Sequence, residues 1–305
     1  MVGSADSIVK EDFHQLYPFR SRWRTVNGHR CHYVDQGSGE PVLLLHGNPT
    51  WSFYYRNLIA ALAPRFRVIA PDHIGCGLSD KPDRHHYAYR LEDRVADLES
   101  LIRRVVPDGP LTLVVHDWGG MIGMAFALRH LARIRRIIVT NTSGFLPPAG
   151  KPIPLRLRLI RDFPAFAAAA VLGLNIFARG ALVMAARRRL APGVRQGLLA
   201  PYDRPGHRIA TLRFVQDIPL VEQDPSYPLV KWVDDHLHRL RQRPLLICWG
   251  KHDFVFDLDY LAEWRRRFPA AEVHLFENAG HYLLEDEPRA VIGVMRRFLE
   301  KHPTD

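Results

Sequence analysis

An α/β protein with an eight-stranded, mostly parallel sheet and one helical insertion is the fold class this 305-residue sequence predicts. Three observations carry that reading. Short runs rich in Val, Ile and Leu alternate with segments of helical period from Pro41 to Ile137 and again from Pro244 onward. The runs are continuous instead of alternating apolar with polar, as expected of parallel strands covered on both faces. Between Phe145 and about Arg241 the alternation stops, and prolines at 147, 148, 152, 154 and 164 lead into Ala/Leu/Arg-rich helical sequence.

Taken in order, the first two strands are the exception to the parallel rule. Trp23–Val26 and Cys31–Val34 flank Asn27-Gly28, a pair that accepts the positive φ of a tight hairpin turn, so they pair antiparallel. The runs Val42–Leu45, Arg67–Ala70, Leu111–Val115, Ile137–Thr140, Leu245–Cys248 and Val273–Phe276 supply the other six. The expected division is a core formed by residues 1–144 and 242–305, with a helical cap at 145–241.

With 47% hydrophobic and 24% charged residues, the composition is that of a globular protein and neither disordered nor collagen-like. Cys31, Cys76 and Cys248 are scattered without C-x-x-C spacing, which argues against a disulfide framework or a zinc site and for a reducing cytoplasm. Met1 to Lys10 lacks the basic-then-apolar order of a secretory signal. The stretch from Phe163 to Ala178 is too short to span a bilayer, which needs about 20 apolar residues, and reads as a buried or interfacial helix.

The formal charge is +10, and from Lys151 to Arg243 there are 16 basic residues against 7 acidic ones, so most of the excess lies in the insertion. Such a segment is a solvated face, a dock for an acidic partner, or a surface that sits near anionic lipid. It carries no helix-turn-helix, zinc-finger or RNA-binding signature, so nucleic acid is not expected.

The chemistry is concentrated at four places. In Leu111-Thr-Leu-Val-Val-His116-Asp117-Trp118-Gly119-Gly120, an acid stands between a buried strand and a helix that starts at the glycines. This is the shape of a nucleophile elbow, a sharp turn that presents one side chain clear of the sheet beside the N–H groups of a helix start. An Asp that serves only as the helix N-cap would read the same. Asp253 and His281 follow later strands, 136 and then 28 residues further on. Nucleophile, acid, base is the chain order of α/β-hydrolases, whose first gap tolerates an inserted cap. In that order His281 would be a base on water and Asp253 would fix its tautomer.

The fourth piece is His46-Gly-Asn48-Pro-Thr-Trp51, directly after a strand. Its backbone, the Asn48 amide and the Trp118 indole are neutral donors suited to a leaving anion. A carboxylate such as Asp117 needs no base to be a nucleophile near neutral pH. Attack on a saturated carbon would leave an alkyl ester on the enzyme. Attack on a strained ring would open it.

Asp257 competes with Asp253 for the acid role. Asn141 cannot serve as an acid. His116 and His46 read as structural neighbours of the elbow and of the donor loop. Ile74-Gly-Cys-Gly-Leu-Ser79 lacks the lysine and spacing of a phosphate loop, so no nucleotide cofactor is expected.

The segments His46-Gly-Asn-Pro-Thr-Trp51, Asp72-His-Ile-Gly-Cys-Gly-Leu-Ser-Asp-Lys-Pro82 and His116-Asp-Trp-Gly-Gly120, with Asp253 and His281, resemble the haloalkane dehalogenases across the catalytic core. That resemblance implies Asp117 as nucleophile, His281 as base, Asp253 as acid, and Asn48 with Trp118 as halide donors. Epoxide hydrolases, usually Phe at the position of Asn48, and fluoroacetate dehalogenases, usually Arg at that of Trp118, are less similar. The insertion is more similar to the β-lactone decarboxylases of bacterial long-chain olefin biosynthesis, in Asn175-Ile-Phe-Ala-Arg-Gly180, Ala200-Pro-Tyr-Asp203 and the run from Arg208 to Leu220. So is Cys248-Trp-Gly250 with Asp253-Phe-Val-Phe-Asp257. This second resemblance implies conversion of a cis-β-lactone with two long alkyl chains into a cis-alkene and CO₂. It implies no metal or organic cofactor, and assembly with the β-lactone synthetase and reductase of the pathway. It leaves open whether Asp117 attacks the carbonyl carbon or the ring alkyl carbon.

Overall fold

The computed structural model describes residues 15–148 and 151–303. Met1 to Lys10 lies outside the described residues. The eight strands are β1 (Ser21–Val26), β2 (His29–Gln36), β3 (Pro41–Leu45), β4 (Arg67–Pro71), β5 (Leu111–Asp117), β6 (Ile134–Thr142), β7 (Leu245–Gly250) and β8 (Glu272–Phe276). They form one sheet in the order β1-β2-β4-β3-β5-β6-β7-β8. β1, β2 and β4 pair antiparallel in turn, and every other neighbour is parallel. The eight-stranded, mostly parallel sheet read from the sequence is therefore present. The hairpin turn lies at Asn27 (φ 45°) and Gly28 (φ 89°), the two positive values that the Asn-Gly pair supplies at little cost.

Alternate residues of the central strands enter opposite layers. Leu43, Leu45, Leu113, Val115, Ile137 and Val139 pack on one face with helices Leu91–Val105 and Trp118–Arg129. Val42, Leu44, Val114, Ile138 and Leu246 pack on the other with Arg56–Leu62 and Pro288–Lys301. Coverage on both faces is why these strands read as unbroken apolar runs. β8 departs from that expectation. It pairs only with β7, at the sheet edge, and its residues are half-buried or exposed.

Between β6 and β7 the described chain forms helices only, among them Leu155–Asp162, Pro164–Ala167, Ile176–Met184, Pro192–Leu199, Ile209–Gln216 and Tyr227–His236. The last of these packs Val230 and Val233 into the layer that holds Trp118–Arg129. The apolar stretch from Phe163 onward is not one rod. Asn175 adopts the left-handed conformation (φ 54°, ψ 33°), and Pro164–Gly173 and Ile176–Met184 meet at 73°. Among the described residues no single helix is long and apolar enough to cross a membrane.

Candidate active site

Asp117 is the last residue of β5 and directly precedes helix Trp118–Arg129. Its backbone has φ 51° and ψ −129°, a conformation that costs a non-glycine residue of order 1–3 kcal/mol and persists only where its surroundings hold it. They do so closely. The β5–β6 register shifts between His116 and Asp117, and Thr142 Oγ1 donates to the Asp117 carbonyl. A Cβ on Gly119 would overlap the Leu45 carbonyl, and one on Gly120 would overlap Thr142, so the helix start approaches the sheet only because both are glycine.

The Asp117 side chain makes no N-capping hydrogen bond, which removes the capping alternative. One oxygen, Oδ1, accepts the backbone N–H of Asn48 at 2.7 Å. The other, Oδ2, lies 3.4 Å from His281 Nε2. Burial alone favours the neutral acid, but His281 and the Asn48 N–H hold the carboxyl below the usual carboxylate range.

His281 donates from Nδ1 to Asp253 Oδ2 at 2.7 Å. Asp253 is itself saturated with donors. Its Oδ1 accepts the N–H groups of Val255 (2.7 Å) and Phe256 (3.0 Å), and its Oδ2 also accepts the Asn141 amide at 3.0 Å. Burial opposes a charge on His281, yet Asp253 and Asp117 outweigh it and push the imidazole up to about 10. His281 thus stands between the carboxyl groups of Asp253, on Nδ1, and Asp117, on Nε2.

Asp257, the competing acid, caps helix Leu258–Arg267 through the N–H of Asp259 and pairs with Lys151. His116 donates from Nε2 to the His281 carbonyl at 2.9 Å, and burial lowers it to about 3, so it is a neutral prop beneath the loop. His46 bonds the Gly47 carbonyl and accepts the N–H of His73, which fixes the donor loop. The glycine loop after β4 wraps a buried carboxylate: Asp72 accepts the N–H groups of Leu78 and Ser52 and pairs with His32 at 2.8 Å.

Asn48 and Trp118 line one cavity with Asp117 and His281, about 560 Å³ in volume, within the range of ligand sites. The remaining wall is largely apolar and comes in good part from the insertion, including Leu157, Ile160, Phe177 and Val215. The Asn48 amide donates to the Thr211 carbonyl at 3.0 Å, so one of its two hydrogens is committed to the cap. The Trp118 indole N–H has no partner among the described residues.

Two contributors carry weak signals in the sequence. Asp286, an acid in the apolar run Tyr282-Leu-Leu-Glu-Asp286, is fully buried and accepts the N–H groups of Gly280, Arg187 and Arg188, which ties the cap to the loop of His281. Gly47 lies so close to Asp117 that a Cβ there would overlap its carboxyl.

The sheet order, the elbow after β5 and the acid and histidine on later loops define an enzyme of the alpha/beta hydrolase fold, and the chain belongs to that family, which matches residues 40–288. Among its relatives, the cis-3-alkyl-4-alkyloxetan-2-one decarboxylase of Shewanella oneidensis is 45% identical over 290 residues, 95% of this chain and 91% of that protein. Haloalkane dehalogenase 2 of Mycobacterium bovis is 32% identical over 286 residues, 93% of this chain and 96% of that protein. The crystal structure of the haloalkane dehalogenase DbeA from Bradyrhizobium elkani superposes with a TM-score of 0.81 at 26% identity, over 93% of this chain and 99% of that one.

Proposed function

We propose that this enzyme opens and decarboxylates cis-β-lactones carrying two long alkyl chains, giving a cis-alkene and CO₂, with Asp117 as the nucleophile. The observation that carries the reading is the cavity, in which the Asp117 carboxyl group, beside Asn48, Trp118 and His281, faces a largely apolar wall drawn in good part from the helices between β6 and β7. The 45% identity to a decarboxylase of that substrate class supports it, since an oxetan-2-one is a β-lactone.

Asp117 Oδ attacks the ring carbon that bears the ring oxygen. That C–O bond breaks, Asp117 becomes an alkyl ester, and the released carboxylate stays on the neighbouring carbon. Asn48 and Trp118 donate to it as its charge grows. Loss of CO₂ then moves an electron pair into the new C=C bond and expels Asp117 as a carboxylate. Inversion in the first step and anti elimination in the second return a cis-alkene from a cis-lactone. No water or redox partner is consumed.

Within this scheme His281 keeps its proton and acts as a fixed cation beside Asp117 as the aspartate leaves, held by Asp253. A base on water belongs to the hydrolytic alternative, in which Asp117 displaces a halide and water then cleaves the ester. The 32% identity to a haloalkane dehalogenase favours that second reading. The assembly with a β-lactone synthetase and a reductase that the sequence suggested is part of the same proposal.

Purified protein incubated with a dialkyl cis-β-lactone is expected to yield one alkene per lactone. Asp117→Asn is expected to lose about 10⁴-fold or more in rate, the scale of removing a nucleophile. Halide release from 1-bromobutane or 1,2-dibromoethane with no alkene from the lactone would reverse the order of the two readings. Undiminished turnover by Asp117→Asn would end both.

A further inference from the structure

Twelve large hydrophobic side chains are exposed among the described residues, and eight of them lie between Leu155 and Met184. They include Phe163, Phe166, Leu174 and Val183, the last 72% exposed. An apolar concentration of this kind marks an interaction surface. Burial of these side chains elsewhere in the fold is not the answer, because helices Leu155–Asp162, Pro164–Gly173 and Ile176–Met184 already turn Ile160, Ala167, Val171 and Ala181 inward.

The charge around this surface is one-sided. Residues 155–189 contain seven arginines and one acid, Asp162, which is already held by Arg158 and Arg161. Arg179, Arg187, Arg188 and Arg189 are exposed and enter no ion pair among the described residues. The surface is also continuous with the active site. Leu155, Ile176 and Met184 are exposed on it and at the same time line the cavity of Asp117 and His281.

We propose that this face docks on an anionic lipid bilayer, with the exposed apolar side chains in the interface and the arginines against the headgroups, so that the cavity mouth opens toward the acyl chains. Apolar anchors with basic flanks are what interfacial binding uses. Neither of the two apolar helices is by itself long and apolar enough to cross a bilayer, and they meet at 73°, so the segment is placed on the interface by its exposed apolar side chains and flanking arginines. A second copy fits less well, because a two-fold contact through this face would bring the unpaired arginines of both copies together. That docking also loads substrate rests on the proposed reaction, whose dialkyl lactone would itself partition into lipid.

Vesicle flotation tests the docking without any substrate, so its result is independent of what the enzyme turns over. The protein is expected to float with vesicles of phosphatidylcholine and phosphatidylglycerol, and about tenfold less with phosphatidylcholine alone. High salt is expected to weaken that binding, as the screening length falls to about 3 Å at 1 M. Phe163→Ser/Phe166→Ser and Arg179→Glu/Arg189→Glu are each expected to lose about tenfold in vesicle binding. Both are expected to keep the circular dichroism spectrum and melting temperature of the parent, which shows them folded. No flotation with the anionic vesicles would overturn the proposal, as would flotation that neither variant weakens. So would a dimer in sedimentation that Phe163→Ser/Phe166→Ser abolishes, which would assign the face to a second copy.

Discussion

The Asn141 amide donates to Asp253 Oδ2 at 3.0 Å, the same oxygen that receives His281 Nδ1–H at 2.7 Å. Asn141 also closes on β7, accepting the Gly250 N–H at 2.8 Å and donating to the Gly250 carbonyl at 3.1 Å. It therefore sets the acid relative to the sheet end from which Asp253 departs. Its own φ of 34° is one that Asn tolerates better than most side chains.

Asn141→Asp is expected to lower turnover by about tenfold or more, because it removes the donor and puts a second charge against Asp253. Asn141→Ala would leave the Gly250 groups unpaired and destabilise the fold by about 1–3 kcal/mol. Thermal unfolding and kcat measured together separate the two effects. An Asn141→Asp enzyme as fast as the parent would remove Asn141 from the positioning of the acid.

Asp253 and Asp257 lie four residues apart and differ in what they hold. Asp253→Ala is expected to cost about 10²–10⁴ in kcat, since it unseats the imidazole and removes the charge that keeps it protonated. Asp257→Ala should cost about 1 kcal/mol of stability, the scale of a helix cap, with kcat within a few-fold of the parent. Equal losses of kcat in both variants would leave the acid unassigned.

The sheet was legible because its signal is local: each buried strand is its own apolar run, and the Asn27-Gly28 turn states its conformation in two residues. Asp117, Asp253 and His281 were legible because chain order around a sheet edge is fixed by the topology. Asn141 carries no such signal, because an amide is no acid and its role comes from a contact with a residue 112 positions away. Asp286 and Gly47 act in the same non-local way, one by receiving N–H groups from the cap and the other by having no side chain to obstruct Asp117. The apolar run from Phe163 is readable as interfacial, whereas its bend depends on one left-handed residue, Asn175.

The histidines around the site divide into two groups with opposite pH behaviour. His281 is raised to about 10, while an unfolded histidine titrates near about 6.5. Between those values the folded chain holds the extra proton, so the contribution of His281 is fully present below about pH 6.5 and is lost as pH rises through about 10. His46, His73 and His116 are lowered by burial, so the unfolded chain binds the protons they refuse and stability falls with pH below about 6.5. Thermal unfolding of the parent is expected to drop from pH 7 to pH 10 more steeply than that of His281→Gln. Parallel curves would show that His281 does not carry the raised value.

The carbon that Asp117 attacks leaves a record in the oxygens. If attack falls on the ring alkyl carbon, the ring oxygen departs with the carboxylate and leaves in CO₂, and both Asp117 oxygens stay with the enzyme. If attack falls on the carbonyl carbon, an anhydride forms first. The freed alkoxide must then take the Asp117 acyl group to reach the same ester, which exchanges the ring oxygen for one of the aspartate's. A single turnover with lactone labelled with ¹⁸O in the ring, followed by mass spectrometry of the peptide that contains Asp117, reads the difference directly. The expected result is an unlabelled peptide. One ¹⁸O in Asp117 would assign attack to the carbonyl, and because that route retains configuration at the alkyl carbon, the cis product would then require a syn elimination from the ester.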